Sequence, residues 1–181
     1  MQASAFYAMF AVGTETLSPY KVAWRRMGNV FRAAFVSSID VPLLGSKLVI
    51  PSDTVTFVPF QGEEEAFFFL GLLNSSPAKA AIYSFSPAGR GLGAPAILKQ
   101  LKIESFRNAD KSLRKEISRT AKAIARGHQS HDPDLSQLEA KICDLDSLAA
   151  TYWGLNAKEL AGCRTDVADH ENAKTESPGE E

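Results

Sequence analysis

Residues 20–39 read YKVAWRRMGNVFRAAFVSSI. Aromatic and β-branched side chains crowd both halves, and Gly28-Asn29 punctuates the middle, as expected for two short strands joined by a turn. A β-hairpin, or two adjacent strands, is expected here. Residues 47–50 (KLVI) and 54–59 (TVTFVP) read as a second strand pair, parted by Pro51-Ser52-Asp53.

The character then changes. Glu63, Glu64 and Glu65 open the run AFFFLGLL, and three carboxylates complement the positive end of a helix. Asn74-Ser75-Ser76-Pro77 weakens or ends that helix, which resumes over residues 78–83. Residues 97–106 (ILKQLKIESF) fit a helical turn leading into a short strand. Further on, Leu113, Ile117, Ala121 and Ile124 recur at helical spacing, and so do Leu135, Leu138, Ile142, Leu145, Ala149 and Tyr152. The second stripe is heptad-like but too short for an independent coiled coil, so two helices packed antiparallel along these stripes are expected. Pro133 and Asp134 suit the start of the second helix, Trp153-Gly154-Leu155 its end, and residues 157–161 a short terminal helix. The fold class expected is therefore α+β: a small, mostly antiparallel sheet with packed helices and a C-terminal antiparallel helical pair. Three spans follow: an α/β region over 1–108, the helical pair with its short terminal helix over 109–163, and a tail over 164–181.

Apolar residues at 45% and charged residues at 23% are ordinary for a chain with a real core. No apolar run approaches the roughly 18 residues of a membrane span, and the apolar opening Phe6 to Val12 has no basic residue before it. Cys143 and Cys163 lie far apart with no Cys-x-x-Cys pair, so reduced thiols and a cytoplasmic setting are expected. The formal net charge of −1 hides an asymmetry. Residues 164–181 carry two basic and six acidic side chains, against 18 basic and 15 acidic in the rest. This acidic tail has almost no large apolar side chains and is expected to be disordered, either solvating the chain or competing for its basic surface.

Catalytic signatures are missing. The chain has no Gly-x-Gly-x-x-Gly after a strand, no Gly-Lys-Ser/Thr phosphate loop and no His-Glu-x-x-His helix. Gly89-Arg90-Gly91-Leu92-Gly93 reads as a flexible loop able to approach a backbone closely. His128 and His131 lie in a polar stretch without a firm third ligand, so no metal is expected. The basic residues are more telling. Lys21, Arg25, Arg26 and Arg32 fall in a stretch free of acidic side chains, interleaved with Trp24, Asn29 and Phe31. Residues 99–126 hold nine basic and three acidic side chains. Cations that neutralise phosphates supply sequence-independent affinity, and arginine and asparagine can read guanine and adenine edges. The second cluster reads rather as the wet face of an amphipathic helix than as a binding surface.

Four segments in order resemble the C-terminal target-recognition region of type II and type IIG adenine-N6 DNA methyltransferases, related in layout to type I specificity subunits. Phe10-Ala11-Val12-Gly13 with Leu17-Ser18-Pro19-Tyr20-Lys21-Val22-Ala23-Trp24-Arg25-Arg26-Met27 is similar to the entry of that region. Glu65 through Ser76 (EAFFFLGLLNSS) resembles its helix ending in Asn-Ser, Lys102-Ile103-Glu104-Ser105-Phe106 its following strand, and Tyr152-Trp153-Gly154-Leu155 its closing helix. The resemblance implies binding to double-stranded DNA. The family's catalytic half binds S-adenosylmethionine and holds the flipped adenine with an Asn/Asp-Pro-Pro-Tyr/Phe motif. No Pro-Pro pair occurs here. The resemblance thus implies a recognition half with no cofactor of its own, S-adenosylmethionine being expected on a catalytic partner. A split subunit, a fragment and an inactive truncated remnant all fit, as does a module docking on a separate methylase or nuclease subunit. The residues expected at DNA are Lys21, Trp24, Arg25, Arg26, Asn29, Arg32, Lys47 and Arg90.

Overall fold

Strand β1 (Tyr20–Arg25) runs between β2 (Ala33–Val36) and, from farther along the chain, β5 (Val55–Phe60), and both pairings are antiparallel. Between β2 and β5, the short strands β3 (Ile39–Val41) and β4 (Gly45–Lys47) form a separate two-stranded hairpin. The structure is a computed structural model and describes residues 13–52, 54–85 and 98–175. The first expected strand pair is present, joined by a seven-residue turn over 26–32 in which Gly28 takes φ +149°. The second pair is corrected. Residues 55–60 pair with β1, and residues 45–47 pair with 39–41, because β1 as the central strand has two edges to satisfy.

Side chains alternate across β1. Val22 and Trp24 enter the core with Phe31, Phe67 and Leu70, so Lys21 and Ala23 face the other way. Helix α1 (Glu63–Asn74) begins at its three glutamates, as expected, and is buried through nearly every residue from Ala66 to Leu73. A helix apolar on all sides belongs inside a fold. One side of α1 joins the sheet cluster, where Phe67 stacks on Phe35 with ring centroids 4.2 Å apart. Its other side gives Phe68 and Leu72 to a second cluster with Ile117, Leu145 and Ala149.

After α2 (Ser76–Phe85), the second cluster is completed by α3 (Lys111–Gln129) and α4 (Leu135–Trp153). Both start on aspartate caps: Asp110 accepts from the Leu113 amide at 2.8 Å and Asp134 from the Gln137 amide at 3.0 Å. Helix α4 stops at Gly154, whose φ of +70° closes a left-handed cap. The pair runs antiparallel: Gly127 lies against Leu138 near the connection, while Ile117 meets Leu145 and Ala149 farther out. The architecture is thus α+β, in agreement with the sequence pattern.

Two expectations are corrected. Residues 102–106 form no strand. Instead Lys102 turns left-handed after a single 3₁₀ turn (Lys99–Leu101), and the backbone bonds to side chains of α4. The Leu101 carbonyl accepts from Trp153 Nε1 at 3.2 Å and the Glu104 amide donates to Tyr152 Oη at 2.7 Å. The short terminal helix and the disordered acidic tail are replaced, through residue 175, by one helix, α5 (Ala157–Thr175). Leu160 and Val167 are buried at helical spacing, and the helix is held by packing more than by propensity, since Gly162, Thr165, Asp166 and Asn172 are weak helix formers. Arg164 adds an ion pair to the buried Asp146 at 3.0 Å, and Asp146 in turn accepts from the Ser76 amide at 2.7 Å. Residues 176–181 lie outside the described residues. No helix among those described is long and apolar enough to cross a membrane.

Candidate nucleic-acid interface

The eight residues expected at DNA separate sharply. Lys21 is 0% exposed, and its Nζ donates to the Ser18 carbonyl at 2.7 Å. Burial lowers its pKa below the ordinary 10.5. It cannot reach a phosphate: its side chain is fully enclosed and its ammonium is held on the Ser18 carbonyl. Trp24 is likewise withdrawn into the sheet cluster, tilted against Phe31 at 6.0 Å. Arg25, Arg26, Asn29 and Arg32 are exposed at the end of β1 and along the turn after it, and Lys47 is exposed on β4. Arg90, with the glycine loop, lies outside the described residues.

The turn over 26–32 is held from beneath by α2 and α5. Tyr83 Oη accepts from the Phe31 amide at 3.1 Å and lies 3.0 Å from Glu171 Oε1. The imidazole of His170 stacks on the Tyr83 ring at 3.9 Å and contacts the Asn29 carbonyl through Nε2 at 3.0 Å. Lys79 pairs with Glu171 at 3.3 Å, and Arg32, whose side chain is 78% exposed, stands 4.0 Å from the same carboxylate. Burial, with Glu171 alongside, pushes the Tyr83 phenol up to about 12. A neutral phenol suits this place, since it can donate to the carboxylate while accepting from the amide.

On α3 the cations sort by angle. Lys111, Lys115, Arg119, Lys122 and Arg126 follow at spacings that place them within about 80° of arc, at 100° per residue. Ile117 and Ala121 are buried on another side of the same helix. Lys122 pairs with Glu63 and Arg119 with Glu116, the latter at 3.2 Å between exposed groups. Arg114 leaves the stripe: its guanidinium lies 4.5 Å over the Phe106 ring and donates to the Phe106 carbonyl.

The turn and the stripe meet along β2. A groove of about 560 Å³ runs between Arg32, Ala33 and Phe35 on one wall and Ile124, Ala125 and His128 on the other. A second depression of about 340 Å³, lined by Lys122 and Arg126, shares Phe35, Ala125 and Gln129 with it. The outer edge of β2 is partly closed by Asn74, whose carboxamide accepts from the Ala33 amide and donates to its carbonyl, each at 2.9 Å. Neither the groove nor the Tyr83–His170–Glu171 contact is apparent in sequence, since each joins segments about 50 to 140 residues apart.

Among the described residues no group of three potential ligands is placed to hold a metal, and His128 and His131 are both exposed. Comparison of the chain with protein-family models, curated proteins and solved structures gives no match.

Proposed function

We propose that this chain binds duplex DNA, as the recognition module of a cytoplasmic adenine-N6 methyltransferase system whose S-adenosylmethionine-dependent half is a separate partner. The observation that carries the DNA-binding part is the cationic stripe on α3. Five basic side chains share one face from Lys111 to Arg126, about 22 Å at 1.5 Å per residue, and the stripe ends at the depression that adjoins the Arg32 groove. A helix needs only a polar face to be wet; of the five cations in this narrow arc, Arg119 and Lys122 are paired with Glu116 and Glu63, and Lys111, Lys115 and Arg126 add a local field suited to a polyanion. The methyltransferase context rests on the four-segment resemblance alone.

The contact set differs from the one the sequence implied: Arg25, Arg26, Asn29, Arg32 and Lys47 remain, and Lys111, Lys115, Arg119 and Arg126 join them. Phosphate contacts fall to the arginines and lysines, and Asn29, at the crest of the turn, is the candidate base reader. The test is binding of the full chain to random-sequence duplex DNA across a salt series. Affinity should fall steeply with salt, and Arg25→Ala with Arg26→Ala should flatten the log–log slope by about 1.8, at roughly 0.9 for each phosphate no longer neutralised. Negligible binding at low salt would overturn the proposal.

A second reading has its own support. The larger groove has an apolar floor of Leu70, Ala121, Ile142 and Leu145, with Ile142 partly open to solvent, which suits docking of a methylase or nuclease subunit. It would give subunit binding with little DNA affinity.

A further inference from the structure

The β3–β4 hairpin carries an anomaly. Its tip is a four-residue turn closed by the Leu44 amide donating to the Val41 carbonyl at 3.0 Å. Pro42 sits second, and Leu43, third, has φ +69°. A turn with proline second and positive φ third takes glycine there, because a Cβ is disfavoured in that conformation. Here the position holds a leucine that is 105% exposed, beside Leu44 at 64%. Folding does not account for this side chain, which strains the backbone and buries nothing. Strain of this kind, together with an apolar group held out in water, points to a ligand.

The surroundings indicate which ligand. Ile39 and Val49, at the base of the hairpin, line the depression that also holds Lys122 and Arg126 at the end of the α3 stripe. Lys47, exposed on β4, pairs with Ile39 across the hairpin, and Asp40 is the hairpin's one carboxylate. The base of the hairpin therefore adjoins the end of the α3 stripe, and its apolar tip projects away from that base. We infer that this hairpin is a wedge for duplex DNA, with Leu43 entering between stacked base pairs while the α3 stripe and Lys47 hold the flanking phosphates. Leucine side chains can unstack a base step in this way, the cost being offset by the added contacts of the bent duplex. The inference rests on the DNA-binding proposal above.

Leu43→Gly is the informative variant, since glycine suits the turn and relieves its strain. The full chain is titrated onto random-sequence duplexes carrying 2-aminopurine, whose fluorescence rises on unstacking, over the same salt series. The native chain should raise the fluorescence. Leu43→Gly should abolish the rise and weaken binding about tenfold, with the salt slope preserved and the urea midpoint preserved or raised as the strain is relieved, because the variant removes a leucine that binding would bury and leaves every phosphate partner in place. Steep salt-dependent binding by the native chain with no fluorescence rise, and equal binding by Leu43→Gly, would overturn the wedge and leave the DNA proposal standing. No binding by the native chain would remove both. Self-association of the native chain that Leu43→Gly abolishes, with DNA binding intact, would assign the tip to a second copy and overturn the wedge.

Discussion

Replacing Gly71 with alanine tests the packing on which this architecture depends. Gly71 lies inside α1 where α3 and α4 close on it. A Cβ there would stand 2.9 Å from Ile117 Cγ2, 3.0 Å from Ala121 Cβ and 3.2 Å from Leu145 Cδ1. Carbon atoms pack best at about 3.5–4.0 Å, so two helices would have to retreat by about half an ångström. Helix α3 is not free to do so: Ser118 Oγ donates to the Glu64 carbonyl at 2.8 Å, and Lys122 pairs with Glu63, both tying it to the first turn of α1. Alanine gains about 1 kcal/mol over glycine in a helix interior, while overpacking costs about 1–3 kcal/mol. The tethers favour the upper part of that cost, giving a net destabilisation of about 1–2 kcal/mol. At about 2–4 °C per kcal/mol for a chain of this size, the melting temperature should drop by about 2–8 °C. Gly162 provides the control. It lies within α5, is exposed, and a Cβ there meets nothing within 4 Å, so Gly162→Ala should stabilise by about 0.5–1 kcal/mol. Urea unfolding with an unchanged m value reads both. If Gly71→Ala matched or exceeded Gly162→Ala in stability, the close approach of three helices at this point would be refuted.

Two further predictions concern titration. Lys21 has its folded-state pKa lowered by burial, so between that value and the ordinary 10.5 the unfolded chain binds the more protons. Stability should therefore rise with pH as that interval is entered from below, and Lys21→Met should flatten the rise; an identical pH profile would contradict the burial. Tyr83 is the opposite case, its pKa raised from 10.0 to about 12 by burial and then by Glu171. Its contribution to stability is whole below pH 10 and is lost as pH rises through about 12. Tyr152 is also raised by burial, so alkaline absorbance titration should show late phenols, of which one disappears in Tyr83→Phe and moves down in Glu171→Gln. A Tyr83 that ionised with the most accessible tyrosines would exclude its pairing with Glu171.

This fold is legible in sequence wherever the cause is local. The glutamates opening α1, the Asp134 cap and the Gly154 stop act within a turn of helix, and each is where the pattern puts it. The long-range choices are not legible. Residues 54–59 carry a strand pattern, but that the partner is β1 and not the nearer residues 47–50 depends on which edges are left open. Lys21 reads as a contact residue because its charge is visible in sequence while its burial is not; Ser18, its carbonyl partner, lies only three residues away. The acidic segment misleads for a related reason. Its apolar content is low, and among its described residues Val167 is the buried one; what docks it are polar contacts to other helices, Arg164 to Asp146 and Glu171 to Lys79 and Tyr83, which composition does not show.

The same contrast bears on charge. A net charge of −1 would argue against a polyanion as ligand if charge acted as a sum, but fields act over about 8 Å at physiological salt. The carboxylates of α5 are carried on a helix that packs against α2 and α4, and Glu171 is the one that approaches the basic turn, at 4.0 Å from Arg32. That carboxylate has closer partners in Lys79 and Tyr83, at 3.3 Å and 3.0 Å. Glu171 thus serves chiefly to fix the floor beneath the turn, leaving the Arg32 guanidinium facing solvent. The acidic C-terminal helix is the support that holds Asn29 and Arg32 in place, and it is a different helix from α3, whose stripe the proposed DNA contact uses.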